Sequence, residues 1–114
     1  MAAWKVTVRN GSNVQRKGFD GLDEALAEAK SQTRDILAEG ALPPAKAFRE
    51  YEPSELVKAR IEITGKGLLR PPTAGLDIQG DQSLVGFIGG VRRKPIEASD
   101  EAGIFDEIRK ALSG

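Results

Sequence analysis

Neither cysteine nor histidine occurs anywhere in the chain, and the two absences remove most of the familiar routes to catalysis. Without cysteine there is no disulfide framework, no thiolate nucleophile and no zinc–cysteine site. Without histidine, the commonest general base near neutral pH and the commonest transition-metal ligand are both missing. Ser–His and Cys–His catalysis cannot be assembled within this chain. Aromatic residues make up only 5% of positions, so aliphatic side chains must fill most of the core. No apolar run approaches the roughly 20 residues that span a bilayer, and Met1-Ala2-Ala3-Trp4-Lys5-Val6 lacks the apolar core of a signal peptide. These absences lead to the expectation of a cytoplasmic protein that makes no membrane contact. Net charge is absent too. Lysine plus arginine balance aspartate plus glutamate at 17 each, so any steering must come from how the charges are distributed.

What is present suits one ordinary fold. At 114 residues, with 39% hydrophobic and 30% charged positions, the composition fits a single globular domain over residues 1–114 better than a disordered chain. Trp4, Val6 and Val8 alternate with Lys5, Thr7 and Arg9, the period of a half-buried strand. Asn10-Gly11-Ser12-Asn13 is a turn signal, and Val14 to Phe19 reads as the return strand of a hairpin. Leu22, Leu26, Ala29, Thr33 and Leu37 then share one helical face, with acids in the first turn and Gly40 as the stop. Asp35 and Glu39 oppose the dipole at the far end of that helix, which leaves its last turn to be held by tertiary packing.

Pro43-Pro44 makes Ala41 to Pro53 a connector, with Phe48 and Tyr51 as its expected anchors. Leu56 to Thr64 alternates again, placing Val57, Ala59, Ile61 and Ile63 on one side and Lys58, Arg60, Glu62 and Thr64 on the other. Leu68-Leu69-Arg70 reads as a short edge and Pro71 to Gly75 as a loop. Leu76 to Gln79 and Ser83 to Arg93 read as two further strands. The second is apolar on both sides, which suggests a central strand, with Gly86, Gly89 and Gly90 marking a bulge or bend. Ser99-Asp100-Glu101 opens a final helix carrying Ile104, Ile108 and Leu112 in a stripe. The predicted fold is α+β, a mostly antiparallel sheet of about five strands with two amphipathic helices on one face, in the order ββ-α-β-β-β-α.

Such a fold leaves the other sheet face open. The alternation places Lys5, Arg9, Lys58 and Arg60 there, with Arg16 or Lys17 nearby and Arg92, Arg93 and Lys94 at the end of the long strand. A basic sheet can neutralise phosphates, although stacking platforms for single strands need exposed aromatics that the pattern does not supply. Gly65-Lys66-Gly67 does not lead into a helix as a phosphate loop would, and it reads as a turn. Asp77 and Asp81 flank a turn, too few acids for a calcium loop, so structural roles are expected of both. The element order is loosely similar to that of small ribosome-associated and double-stranded-RNA-binding domains. That resemblance rests on topology alone and carries over no residue role.

The leading expectation is a non-catalytic interaction module, not an enzyme, with no cofactor and no metal. It would bind a protein partner, or a second copy as a homodimer, through the open sheet face or an edge strand. A nucleic-acid-binding domain using the basic face is the alternative. An enzyme relying on carboxylates and lysines comes third.

Overall fold

Two alternating stretches meet across a tight turn to begin the fold. In the computed structural model, which describes residues 3–40, 57–66, 71–90 and 93–113, β1 (Trp4–Asn10) and β2 (Asn13–Phe19) form an antiparallel hairpin. Gly11 takes φ +62° at the first position of the two-residue turn. That is the type II′ geometry, whose twist matches the strands it joins.

Helix α1 (Leu22–Ala38) buries Ala25, Leu26, Ala29, Thr33 and Ile36 at the three- and four-residue spacing of one face. Thr33 is enclosed yet satisfied, because its Oγ1 donates to the Ala29 carbonyl at 2.8 Å. Asp23 and Glu24 sit in the first turn, where the dipole favours them, but no basic residue occupies the last turn. The missing cation comes from β3 (Val57–Gly65). Lys58 Nζ donates to the carbonyls of Ile36 at 2.9 Å and Gly40 at 2.8 Å, and lies 3.5 Å from the Glu39 carboxylate.

Strand β3 pairs antiparallel with β1, and β4 (Thr73–Gln79), β5 (Leu84–Ile88) and the two-residue β6 (Lys94–Pro95) continue as a meander. The result is a six-stranded sheet in the order β2-β1-β3-β4-β5-β6. Helix α2 (Glu101–Ser113) lies beside α1 on the same face, over β4 and β5. Between them the helices and the inner sheet face enclose Val6, Leu26, Ile61, Ile63, Leu76, Ile78, Ile104 and Ile108 almost completely. Each such aliphatic side chain contributes roughly 1.5–3 kcal/mol when taken out of water. The two helices run antiparallel. Asp23 at the start of α1 pairs with Arg109 near the end of α2, while Arg34 meets Glu101 at 3.2 Å at the opposite end.

The α+β architecture with two helices on one face matches the prediction, with one short strand added before α2. Several boundaries differ. β4 begins at Thr73 instead of Leu76, because Thr64 and Ile63 offer ladder partners to Thr73 and Ala74 immediately after Pro72. The strand expected from Ser83 to Arg93 stops at Ile88. Gly89 turns to φ +101°, and the chain reverses so that Lys94 and Pro95 pair back on Ile88 and Phe87. β5 is therefore next to the edge, and the central strands are β3 and β4. Gly86 marks no bulge. Its bare backbone makes room for Ile104 of α2 and for Ile96, since a Cβ there would sit 2.9 Å from side-chain atoms of each. The Leu68-Leu69-Arg70 edge and the Phe48 and Tyr51 anchors fall outside the described residues.

The β4–β5 turn is tied to α1. Gln82 takes a left-handed φ of +77° and its Nε2 donates to the Leu37 carbonyl at 2.6 Å. Beside it, Asp81 Oδ1 accepts from the Ser83 hydroxyl at 2.6 Å and the Ser83 amide at 3.0 Å. Among the described residues no helix is long and apolar enough to cross a membrane.

Candidate functional site

The register of the sheet arranges the helix-free face in rows. Opposite the core positions Val6, Ile61 and Leu76, the outer side chains line up as Val14–Arg9–Arg60–Asp77–Val85, then Arg16–Thr7–Glu62–Gly75–Phe87, then Gly18–Lys5–Thr64–Thr73. Charge is divided unequally along these rows. β3, β4 and β5 bring acids and an aromatic. β1 and β2 bring only cations, and no acidic residue precedes Asp20 in the chain.

On the β3–β5 side the cations are engaged. Arg60 faces Arg9 on one neighbouring strand and Asp77 on the other, and like charges directly opposite repel. Asp77 draws Arg60 to itself through a two-pronged pair, Nε to Oδ1 at 2.6 Å and Nη2 to Oδ2 at 3.0 Å. This hydrogen bonding, with smaller Coulomb attraction from Asp77 and Glu62, raises the Arg60 pKa against the opposing effect of burial. Arg93 reaches Glu62 at 3.5 Å and lies 4.6 Å from the centre of the Phe87 ring, with Arg60 at 5.7 Å from the same ring. Covered by both guanidinium groups, Phe87 is only 4% exposed although no helix lies over it.

Of the residues predicted to line the basic face, Lys5, Arg9 and Arg60 lie on it. Arg93 joins them through its contacts with Glu62 and Phe87. Lys58 does not. The register shifts between Val57 and Ala59, and the Lys58 side chain, 8% exposed, turns to the end of α1. Lys94 stands opposite Ile88, which packs on the core, so it too leaves the outer face. Arg92 falls outside the described residues. Of the two alternatives on β2, Arg16 pairs with Thr7 on the outer face, whereas Lys17 pairs with Val6 and reaches Glu28 of α1 at 3.2 Å. Asp77 and Asp81, weighed as cation ligands, have separate partners in Arg60 and Ser83.

The basic side ends in a pocket that the alternation did not reveal. Where β1 begins and β2 and β3 end, Ala3, Trp4, Lys5, Arg16, Lys17, Gly18, Thr64, Gly65, Lys66 and Pro71 enclose about 490 Å³. Four of these ten are cationic and none is acidic. Lys66 is the member that the sequence offered only as the middle of a turn. Among the described residues, Lys17 is the one cation of the four held in an ion pair. Among the described residues, the edge strand β2, which lines one side of the pocket, pairs with β1 on one side only.

No family model, no curated protein and no solved structure matches this chain.

Proposed function

We propose that this domain is a non-catalytic interaction module that takes up an extended acidic segment of a protein partner as an added strand along β2. The observation that carries the reading is the edge itself, a seven-residue strand paired on one side among the described residues, against a β6 of two residues at the other end of the sheet. In a two-residue hairpin the residues flanking the turn form the hydrogen-bonded pair, here Asn10 and Asn13. By alternation, Val14, Arg16 and Gly18 turn their N–H and C=O groups outward, a ladder to which an extended peptide can add.

Charge selects the occupant. A strand lying about 4.8 Å away would place its side chains beside Arg16 on the outer face and Lys17 on the inner one. Glutamate or aspartate at those positions forms favourable cross-strand pairs, whereas a second copy of β2 would set Arg16 and Lys17 against their own kind. An acidic partner is therefore favoured over a homodimer. Nucleic acid has less support, because Phe87, the aromatic on the outer face, is covered by Arg60 and Arg93 and offers no stacking surface. The reading places the domain in the cytoplasm, in keeping with a chain free of cysteine.

Titrating the domain with an extended peptide bearing alternate glutamates, and with its lysine counterpart, tests this by amide NMR. The glutamate peptide should shift and slow the exchange of the Val14, Arg16 and Gly18 amides, and the lysine peptide should not. Val14→Pro, which removes an outward donor and leaves the β1 ladder intact, should abolish the response. An unchanged β2 spectrum at low salt refutes strand addition. Oligonucleotide binding without a peptide response replaces it with the nucleic-acid reading.

A further inference from the structure

On the helix-free face, the row Gly18–Lys5–Thr64–Thr73 begins at the β2 edge with a residue that has no side chain. Gly18 is exposed, and so are two cations beside it on that face, Lys5 directly across on β1 and Arg16 two residues back along β2. The row contains no acid, and Glu62 in the next row is engaged by Arg93 at 3.5 Å. Elsewhere along the outer edge, a neighbouring strand would meet the side chains of Arg16 and Val14. At Gly18 it would meet bare backbone with a cation on either side.

A strand added along β2 puts one of its residues opposite Gly18, its Cα about 5 Å from Gly18 and about 10 Å from Lys5, with Arg16 on the diagonal. A glutamate there answers one of the two cations. A phosphate ester carries roughly two negative charges near neutral pH and three acceptor oxygens, enough for a lysine and a guanidinium together. Phosphoserine is short enough to keep that phosphate over Gly18, within reach of both; the ring of phosphotyrosine would carry it across to β1 and away from Arg16. Every pairing among the described strands is antiparallel, and an antiparallel partner fixes the order of its residues. The residue opposite Gly18 comes first, followed by those opposite Lys17, Arg16, Gln15 and Val14. Acids suit the second and third places, and an aliphatic side chain suits the fifth, beside the 40% exposed Val14.

We propose that the segment taken up by β2 is a phosphorylated one, with a phosphoserine opposite Gly18 held between Lys5 and Arg16. From its N-terminus the segment reads phosphoserine, acid, acid, any residue, aliphatic. This rests on strand addition along β2, and it adds the register, the direction and a switch by phosphorylation.

Four extended peptides test it by calorimetry and amide NMR: the pattern with plain serine in first place, the same with phosphoserine, one with the phosphoserine moved to the fourth place, and the phosphorylated pattern reversed. The phosphoserine peptide should bind about tenfold tighter than its serine parent, the gain of one charge-assisted contact, and should shift the Lys5 resonances. Phosphate in the fourth place, opposite Gln15 on the helix side, should bring no gain, and the reversed peptide should lose it. Lys5→Gln, at an exposed position, should remove the gain while leaving the affinity for the serine peptide unchanged. Shifts at Val14, Arg16 and Gly18 with both serine and phosphoserine peptides, but no gain from phosphate, overturn the phosphoserine site and leave strand addition standing. A gain that survives Lys5→Gln, or an equal gain from the fourth place or the reversed peptide, does the same. No response of β2 to either peptide overturns both readings.

Discussion

A single carboxylate sets the charge of half the outer face. Asp77 decides whether Arg60 belongs to the basic surface or is spent within the sheet, and the two-pronged geometry commits it to the sheet. With side chains only 29% and 14% exposed, this pair is sheltered enough to matter for stability. Asp77→Asn should destabilise the fold by about 1–3 kcal/mol, read as a lower urea midpoint. The same variant returns a cation to the face beside Arg9, so binding of an acidic peptide should become tighter and more sensitive to salt. A midpoint equal to that of the wild type would show that the pair contributes nothing.

Among the elements, the end of α1 depends on Lys58, 22 positions beyond Ile36 in the chain. Lys58 supplies the positive charge that the last turn lacks and satisfies the Ile36 carbonyl within it and the Gly40 carbonyl just beyond it. Lys58→Met keeps the buried stem but removes the donors, and should cost about 1–3 kcal/mol. Hydrogen exchange should locate the effect in the last turn of α1; uniform loss across the sheet would argue against a capping role. Alternation made β1 and most of β3 legible, the Asn10–Asn13 turn signal implied β2, and the aliphatic stripes marked both helices. Lys58 was misplaced because one register shift between Val57 and Ala59 moves a residue to the other side, and nothing in Val57-Lys58-Ala59 announces it. Arg60 and Arg93 read as free cations because their partners, Asp77 and Glu62, lie on other strands, and single-chain periodicity carries no cross-strand register. The pocket was hidden for the same reason, since three separate strand ends supply its lining.

For the whole molecule, the missing histidine and cysteine predict an unusually quiet pH response. No side chain has an ordinary pKa between about 5 and 8, so the urea midpoint should be flat over that range. The acid side differs. The Ser83 hydroxyl, with its amide second, holds Asp81 below the usual aspartate range. A depressed folded pKa gives stability that is complete above the unfolded value near about 4 and is lost as pH falls through the folded value. Ser83→Ala should therefore lessen the loss of stability on going from pH 5 to strong acid, leaving the neutral plateau level. A step in stability between pH 6 and 7 would contradict this charge inventory.

Of all the strand pairings in the sheet, only β1 with β3 joins segments far apart in sequence. β1–β2, β3–β4, β4–β5 and β5–β6 each join consecutive strands. Forming the molecule therefore comes down to closing one long loop, the entropic step that governs folding rate more than the local hairpins do. Core residues along that line, Val6 and Val8 against Ile63 and Ile61, stand where the barrier is set. Trimming them should slow folding, whereas changes in the β4–β5 turn should act mainly on unfolding.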